Sequence, residues 1–326
     1  MVEGTGGGGT MGEFDLAGRR VWVAGHRGMA GSAIVRRLAT EDCEVLTVGR
    51  EEVDLRDPEP LDAWMARRRP DVVFMAAGTV GGILANDSRP AEFIRDNVMI
   101  QGNVIHAAWR HGVAKMLLLG SSCIYPKLAV QPISEEALLT GPLEPTNQWY
   151  AVAKIAGVTM AQAYRAQYGC DFITAMPTNL YGPGDNFNLD AAHVLPALIR
   201  RTHEAKVTGA AALTVWGSGA PQREFLHVDD LADAAVHLIK VHGTAEPVNI
   251  GTGTDLSIRD LAELIRGIVG FEGELRFDET KPDGTPRKLL DVGRLTRLGW
   301  TARIGLADGV ARTYRWFLEN LDRLRR

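Results

Sequence analysis

The sequence predicts an α/β protein with a doubly wound parallel sheet, and three observations carry this prediction. Short, almost continuously apolar segments alternate with segments of helical periodicity between Arg19 and Pro177. A glycine-rich turn follows the first apolar segment, and the alternation loosens after Pro177, where the loop YGPGDNFN begins. Buried strands alternating with helices are typical of a parallel sheet covered on both faces. Such sheets bind ligands beyond the carboxyl ends of their strands.

Each element follows from its own pattern. The predicted strands of the first part are RRVWVAG, EVLTVG, DVVFMAAG, KMLLLGSS and DFITAMP. Helical periodicity predicts helices over residues 28–42, in LDAWMARRR, and over 90–111 and 150–168. Further along, residues 181–223 contain the loop YGPGDNFN, a short predicted helix and the segment LTVWGSG. PVNIGTG returns to the strand-then-helix pattern, and EFLHVDDLADAAVHLIK is a predicted strand followed by a helix. Asp229 and Asp230 are expected to cap that helix. Ser257 with Asp260 predicts the capped start of a mainly helical C-terminal part.

These patterns divide the chain into a tail and two domains. Residues 1–15 are rich in glycine and predict a disordered tail. Residues 16–180 and 224–250 form the predicted sheet domain. Residues 181–223 and 251–326 form a smaller, discontinuous α/β domain, so a ligand is expected in the cleft between the two.

Composition narrows the class of protein. The chain has 326 residues, is 45% hydrophobic and carries a formal net charge of −4, so we expect neither a nucleic-acid partner nor a membrane partner. We see no secretory leader in the sequence. The three cysteines are too few and too scattered for a disulfide framework or a metal site, and Cys43 and Cys170 are expected to be inert core residues. A cytoplasmic location is therefore expected.

Gly25, Gly28 and Gly31 lie between the first strand and the first helix. Glycines at such a turn let the backbone approach a pyrophosphate, which the N–H groups and the dipole of the helix N-terminus then bind. The alternative is a flexible glycine loop without a ligand. The position of the motif favours a Rossmann-type dinucleotide site.

The end of the second strand indicates which dinucleotide is bound. An acidic residue there would bind the ribose 2′-hydroxyl of NAD, but Arg50 occupies the strand end and Arg27 lies in the glycine turn. Two guanidinium groups can bind a 2′-phosphate, which favours NADP(H). Glu51 and Glu52 weaken this interpretation, and Arg50 as an ordinary surface charge remains an alternative.

Tyr150 and Lys154 form a YxxxK pattern on a predicted helix. Residues four apart share a helix face, so the ammonium group is expected to lower the pKa of the phenol and make it a usable acid. The pattern alone also occurs by chance on ordinary helices. Together with the glycine turn and Ser121 at the end of the preceding strand, it indicates a ketone-reducing site.

Several longer motifs carry a resemblance to a known family. These are GHRGMAGSA, VGGILAN, LGSSCIYP, EPTNQWYAVAKIAG, MPTNLYGPGDNFN, REFLHVDD and KPDGTPRKLLDV. From about residue 19 to the C-terminus the chain resembles the extended short-chain dehydrogenase/reductase family. Within it the chain is similar to the enzymes that carry out NADPH-dependent 3,5-epimerisation and 4-keto reduction of GDP-4-keto-6-deoxymannose. The resemblance implies a homodimer formed through helices 90–111 and 150–168. The excess of apolar residues in these two helices also favours a subunit interface there.

The resemblance also implies roles for individual residues. Ser121, Tyr150 and Lys154 match the reductive triad, and Cys123 and His193 match the acid/base pair of epimerisation. The residues that match cofactor contacts are Gly25, His26, Arg27, Gly28, Met29, Ala30, Gly31, Arg50, Asp54, Leu55, Leu119, Gly120, Ser121, Ser122, Lys154, Pro177, Thr178, Asn179, Leu180 and His193. Those that match nucleotide-sugar contacts in the second, substrate-binding domain are Arg201, Trp216, Arg223 and Asp283. Gly78 and Thr79 depart from the family pattern, which has a lysine there.

Alternatives remain for the thiol and for the function. Ser121–Cys123 could simply end a strand, with the cysteine buried as a small hydrophobic residue. His193 by itself would more often be structural than functional. A single-function nucleotide-sugar 4-epimerase or 4-reductase would keep Tyr150 and Lys154 without needing Cys123 or His193, and a non-catalytic NADP-sensing protein would need none of them. A thiol and an imidazole together suit proton exchange near neutral pH, which favours the two-reaction enzyme.

Overall fold

The computed structural model describes residues 13–189, 191–281 and 283–324. The strands are β1 (Arg20–Ala24), β2 (Glu44–Leu46), β3 (Val72–Met75), β4 (Lys115–Leu119), β5 (Asp171–Pro177), β6 (Asn179–Tyr181), β7 (Ala212–Trp216), β8 (Gln222–Arg223), β9 (Phe225–His227), β10 (Val248–Ile250), β11 (Leu256–Ser257), β12 (Glu274–Asp278) and β13 (Arg287–Lys288). The α-helices are α1 (Met29–Leu38), α2 (Pro58–Arg68), α3 (Ile83–Ser88), α4 (Pro90–Arg110), α5 (Gln148–Tyr168), α6 (Val194–Val207), α7 (Val228–Val241), α8 (Ile258–Val269), α9 (Gly293–Arg297) and α10 (Leu306–Glu319).

Six strands form the main sheet in the order β10-β5-β4-β3-β1-β2. All the strand pairs of this sheet are parallel. The order reverses between β1 and β3, so both neighbours of β1 follow it in the chain. This confirms the predicted doubly wound α/β fold, and it places the glycine turn after β1 at the point where the order reverses.

Two apolar cores cover the faces of this sheet. One contains Ile34 and Leu38 of α1 with Leu231 and Leu238 of α7. The other contains Leu61 and Trp64 of α2 together with residues of α4, among them Val104. The central strands are buried on both faces, which explains their continuous apolar sequences.

The remaining strands pair in smaller groups. β6 pairs in parallel with β9, and β7 pairs in parallel with β12. β8 lies between antiparallel β11 and parallel β13. A third apolar core packs α6, α8 and α10 together around Leu198, Ile265 and Phe317.

Two expectations need correction at the level of local structure. Residues 1–12 of the expected 1–15 tail lie outside the described residues, but Phe14 donates its N–H to the Lys240 carbonyl at 2.7 Å and lies under the Arg19 guanidinium. The tail boundary at residue 15 is therefore placed too late, because an aromatic side chain anchors this segment. The cap of α7 is the ring of His227, which accepts the Asp229 N–H at 3.2 Å, rather than a side chain of Asp229 or Asp230.

Other boundaries differ in detail. α1 ends at Leu38 rather than near residue 42, because the chain turns back toward β2 through Glu41, which Arg37 and Lys240 bind. Ser257 caps α8 as predicted, accepting the Asp260 N–H at 3.0 Å. None of the helices in the described ranges has the length and apolar character needed to cross a membrane.

Candidate active site

The glycine turn after β1 is shaped for close approach of another group. Gly25 has φ +87°, and a Cβ atom on it would lie 2.7 Å from the Ala77 backbone. A Cβ atom on Gly31 would overlap the Gly25 carbonyl. Gly28 directly precedes α1 as its N-cap residue, and no side chain caps the first turn of that helix. The turn therefore presents backbone N–H groups at a helix N-terminus, the arrangement that suits a pyrophosphate.

Several other residues predicted to contact the cofactor also lie at or just after the carboxyl ends of strands of the main sheet. Arg50, Asp54 and Leu55 follow β2, and Leu119–Ser122 lie at the end of β4. Pro177 ends β5, and Thr178 leads from it to Asn179 and Leu180 of β6. Because these strands are parallel, the structure brings these segments to one edge of the sheet together with the glycine turn.

The two arginines predicted to bind a 2′-phosphate have acidic partners. Both terminal nitrogens of Arg27 donate to the Glu51 carboxylate, and both side chains are exposed. The Arg50 Nε contacts Asp54 Oδ2 at 3.3 Å. Asp54 is bound more closely by Arg56, at 2.6 Å, and this pairing lowers the pKa of Asp54. Sequence reasoning missed Arg56, whose only signal is its place just after Asp54.

Tyr150 and Lys154 share the face of α5 that packs on the sheet, and both are buried. The Lys154 Nζ lies 5.8 Å from the centre of the Tyr150 ring and donates to the Leu119 carbonyl at 2.9 Å. Burial lowers the pKa of Lys154 to about 8. The expected net lowering of the Tyr150 pKa is not found, because burial and the neighbouring Cys123 raise that pKa, with a hydrogen bond from Ser121 opposing the rise.

Ser121 and Cys123 lie on the turn that follows β4. Ser121 caps this single helical turn, and its Oγ accepts the Cys123 N–H at 3.2 Å. Cys123 packs against a small buried cluster that contains Phe93 and Tyr150. The strand-end geometry therefore places the thiol beside the phenol.

Lys288 approaches the thiol from β13. Its Nζ lies 3.3 Å from the Cys123 Sγ, and both residues line a pocket of about 50 Å³ that also includes Asn147 and Glu144. Burial raises the pKa of Cys123, but Lys288, Ser121 and Arg223 together outweigh burial, so the pKa is lowered. Sequence reasoning missed Lys288, although it lies in the motif KPDGTPRKLLDV.

His193 directly precedes α6 as its N-cap residue. Its segment is tied to the loop after β3, where the Gly82 N–H donates to the Ala191 carbonyl at 3.0 Å. His193 is solvent-accessible, yet the surrounding protein atoms desolvate its ring, and this lowers the pKa of His193, with the positive charge of Lys288 adding to the effect. A neutral imidazole can accept a proton on one nitrogen and donate one from the other.

The residues predicted to contact a nucleotide sugar lie on β7, β8 and the segments beside them. Arg201 donates to the Thr214 carbonyl at 2.6 Å, two residues before Trp216, which is 57% exposed. Asp283 accepts from the N–H and the hydroxyl of Ser218, both at 2.8 Å. Arg223 is aligned with Lys288 in the pairing of β8 with β13. Arg201, Trp216 and Asp283 thus gather at the end of β7, and Arg223 lies beside the thiol.

The departure at Gly78 and Thr79 lies close to the buried lysine. A Cβ atom on Gly78 would be 3.8 Å from the Lys154 Nζ. Thr79 donates its N–H to the side chain of Asn97 at 3.1 Å, and its hydroxyl contacts Asp96 at 3.3 Å. Thr79 therefore contacts α4, and the departure changes none of the three residues assigned to reduction.

A buried carboxyl near the glycine turn also escaped sequence reasoning. Asp185, in the loop GPGDN, accepts the Asn186 N–H with one oxygen, and its other oxygen has no hydrogen-bond partner among the described residues. Burial raises the pKa of Asp185 to about 7. The neighbouring Gly184 lies near Met29 and Ser32 of α1, so this loop covers the start of that helix.

Comparisons with known proteins agree with this geometry. The model of the NAD dependent epimerase/dehydratase family matches residues 21–251. A GDP-L-fucose synthase of Sinorhizobium fredii is 55% identical over 94% of this chain and 98% of the relative. GDP-L-fucose synthase 1 of Arabidopsis thaliana is 56% identical over 93% of this chain and 94% of the relative. A solved GDP-L-fucose synthetase of Naegleria fowleri bound to NADP has a TM-score of 0.89 and 29% identity, covering 97% of this chain and 99% of that one.

The matches extend over nearly the whole described chain rather than over the glycine turn alone. They agree with the resemblance carried by the sequence motifs, including the extended short-chain dehydrogenase/reductase pattern. The chain belongs to the NAD dependent epimerase/dehydratase family.

Proposed function

We propose that the chain catalyses the NADPH-dependent conversion of GDP-4-keto-6-deoxy-D-mannose to GDP-L-fucose, by 3,5-epimerisation followed by 4-keto reduction. The substrate is taken from the names of the relatives. The observation that carries the proposal is the placement of a lysine-paired thiol, Cys123, directly beside the buried pair of Tyr150 and Lys154. A simple reductase has no use for that thiol.

The residues at the sheet edge fit NADP(H). The Gly25 and Gly31 positions leave no room for a Cβ atom, and the start of α1 offers uncapped N–H groups to a pyrophosphate. Arg50 follows β2, and Arg27, in the turn after β1, reaches the same segment through its ion pair with Glu51, so both can bind the 2′-phosphate in exchange for Glu51 and Asp54. When bound, the reduced nicotinamide supplies the hydride for C4 of the sugar.

In the reduction, Tyr150 donates its phenolic proton to the oxygen at C4 as that oxygen gains negative charge. Lys154 supports the phenolate that is left behind, because its ammonium lies on the same helix face. Ser121 hydrogen-bonds the same oxygen and fixes its position. The raised pKa of Tyr150 keeps the phenol protonated before the reaction, so it begins as an acid.

In the epimerisation, the 4-keto group acidifies the C–H bonds at C3 and C5. Removing one proton leaves its electron pair in an enolate, and delivering a proton from the opposite face inverts the carbon. We assign the exchange of these protons to Cys123 and His193, which come from different elements, the turn after β4 and the residue before α6. A thiol and an imidazole in solution have pKa values of about 8.5 and 6.5, on either side of neutral pH, which suits proton exchange.

The nucleotide part of the substrate is assigned to the second part of the chain. Trp216 presents an exposed ring at the end of β7, and Arg201 and Asp283 lie near that end. Arg223, on β8, places its positive charge near the Cys123 thiol. We propose that residues 181–223 and 251–326 form the substrate-binding domain, and residues 16–180 and 224–250 the cofactor-binding domain.

Product identification tests the proposed function. GDP-4-keto-6-deoxy-D-mannose and NADPH are incubated with the protein in deuterated water, and the product is identified by NMR. The expected product is GDP-L-fucose with deuterium at C3 and C5. A product reduced at C4 without deuterium at those carbons would indicate the single-function 4-reductase instead, and no reaction together with NADP binding would indicate a sensing protein.

Cofactor preference tests the two arginines. Replacing Arg27 and Arg50 together by alanine is expected to raise the KM for NADPH on the order of 10- to 100-fold, because charge-assisted hydrogen bonds to a phosphate are lost. The KM for NADH should change little, since NADH lacks that phosphate. Steady-state kinetics with both cofactors checks this, with Glu51→Gln as a control that frees Arg27. An equal rise in KM for NADPH and NADH would show that the two arginines do not bind the 2′-phosphate.

We also propose a cytoplasmic homodimer. α4 and α5 pack against each other, and their outer surface exposes Val98, Trp149, Val152 and Tyr168. Apolar side chains on neighbouring helices are typical of a subunit interface. Light scattering is expected to give about twice the 35.4 kDa mass of the chain, and a monomer mass at micromolar concentration would remove this proposal. The free state of Cys43, Cys123 and Cys170 supports a reducing compartment.

A further inference from the structure

Lys288 has an unusual partner for a lysine in a polar pocket. Its side chain is half-buried and donates to the Cys123 sulfur at 3.3 Å. Across residues 13–189, 191–281 and 283–324, no carboxylate lies within ion-pair distance of its Nζ. A half-buried ammonium without a carboxylate partner is stabilised by negative charge elsewhere. Among the residues that the structure describes, the group that contacts this ammonium and can carry such charge is the Cys123 thiol.

The backbone on both sides of Lys288 is held firmly. β13 pairs with β8, and the Glu224 N–H donates to the Lys288 carbonyl at 3.3 Å. The next residue, Leu289, donates its N–H to the Gln131 side chain at 2.8 Å. Leu290 donates to the buried Glu224 carboxylate at 3.0 Å. A short strand fixed in this way delivers the ammonium to one place and does not depend on a flexible loop.

The cations nearest the thiol favour its anion, and the Glu144 carboxylate that lines the same pocket is paired with Lys127 at 2.9 Å. From β13 comes Lys288, from β8 comes Arg223, and from α5 comes Tyr150, which is protonated at neutral pH because burial raises its pKa. Burial alone would raise the pKa of Cys123, yet the two cations and the Ser121 hydroxyl turn the net shift downward. His193 feels Lys288 as well, and the pKa of that imidazole is lowered.

We propose that Lys288 is a positioning residue that keeps Cys123 as a thiolate in the resting enzyme. The inference deepens the proposed function and rests on it, because it concerns the thiol assigned to epimerisation. The thiol proton is released to solvent through the open pocket. The resulting thiolate can then take a proton from the carbon beside the keto group, forming an S–H bond while the C–H electron pair moves into the enolate.

Alkylation of Cys123 tests this without any sugar substrate. Iodoacetamide reacts with thiolates, forming a carbon–sulfur bond and releasing iodide. Its rate is followed by mass spectrometry between about pH 5 and pH 10, and Cys123→Ser defines the background from Cys43 and Cys170. Lys288→Met is expected to move the alkylation profile at least one unit to higher pH, which lowers the rate at pH 7 about tenfold. Lys288→Arg is expected to keep the profile near that of the parent protein.

A matched control lies on the same strand. Arg287→Met removes an equal charge from β13, but its side chain is paired with Asp255 and not with the thiol, so the profile should not move. An unchanged profile in Lys288→Met would overturn the inference. If Lys288→Met does not fold, as judged by circular dichroism, Lys288→Gln takes its place with the same expected shift.

Exchange at the sugar separates this inference from the proposed function. In Lys288→Met, deuterium exchange at C3 and C5 should fall at pH 7 and recover as the pH rises, because hydroxide then ionises the thiol. A loss that stays the same at all pH values would mean a structural role and would contradict the inference. If the parent protein shows no exchange but Lys288→Met still shifts the alkylation profile, the proposed function fails while the assignment of Lys288 as the partner of a thiolate stands.

Discussion

Cys123→Ser is expected to reduce deuterium exchange at C3 and C5 of the 4-keto sugar by about 10²- to 10⁴-fold, the usual contribution of a general acid or base. A serine hydroxyl is far too weakly acidic to form an anion beside Lys288, so the proton acceptor is lost while the shape of the pocket is kept. Cofactor binding should persist, and any reduction should act on the unepimerised sugar. NMR of the sugar in deuterated water and identification of the reduced product measure both effects.

The other two cysteines provide the controls for this variant. Cys43→Ser and Cys170→Ser change thiols whose pKa burial raises and which lie outside the pocket, so exchange should stay at the parent rate. Exchange at the parent rate in Cys123→Ser would show that this thiol is structural. Ser121–Cys123 would then be a strand end with one useful serine.

Tyr150→Phe should have the opposite pattern. Removing the phenol deprives the C4 oxygen of its proton donor, so NADPH oxidation should fall by about 10²- to 10⁴-fold. Exchange at C3 and C5 should be largely retained, because Cys123, His193 and Lys288 are untouched. Absorbance of NADPH measures the first effect, and NMR measures the second.

Tyr168→Phe is the matched control on the same helix. Tyr168 is 45% exposed at the far end of α5, and its hydroxyl should matter to neither reaction. If Tyr150→Phe abolishes exchange as well as reduction, the two chemistries share the phenol and the division of roles proposed above is wrong.

The main sheet could be predicted because its strands carry a strong and local signal. Val72–Met75 is buried along its whole length, and a run of apolar residues between turn signals is sufficient to identify such a strand. β8 and β13 could not be found in this way. Each is two residues long, and their pairing joins Arg223 to Lys288 across a long stretch of chain, so no periodicity marks either one.

The same distinction applies to the site. Tyr150 and Lys154 follow from helix spacing, and the structure does place them together. The direction of the Tyr150 pKa shift could not be foreseen, because it depends on how fully the phenol is buried. The cap of α7 escaped for a related reason. Aspartate is a common N-cap residue, but His227 is at the N-cap position of α7, and Asp229 and Asp230 lie inside its first turn.

The short strand β13 has a consequence for how such enzymes diverge. The side chains assigned to reduction come from the turn that directly follows β4 (Ser121) and from α5 (Tyr150 and Lys154), both at the main sheet. Of the side chains assigned to epimerisation, Cys123 follows a strand of the main sheet, whereas His193 directly precedes α6 and Lys288 lies on β13. A descendant that changed a few residues around Lys288 would lose stereochemical inversion while its reductive centre stayed intact. Substitutions in this two-residue strand are therefore sufficient to separate epimerising from non-epimerising reductases that share this fold.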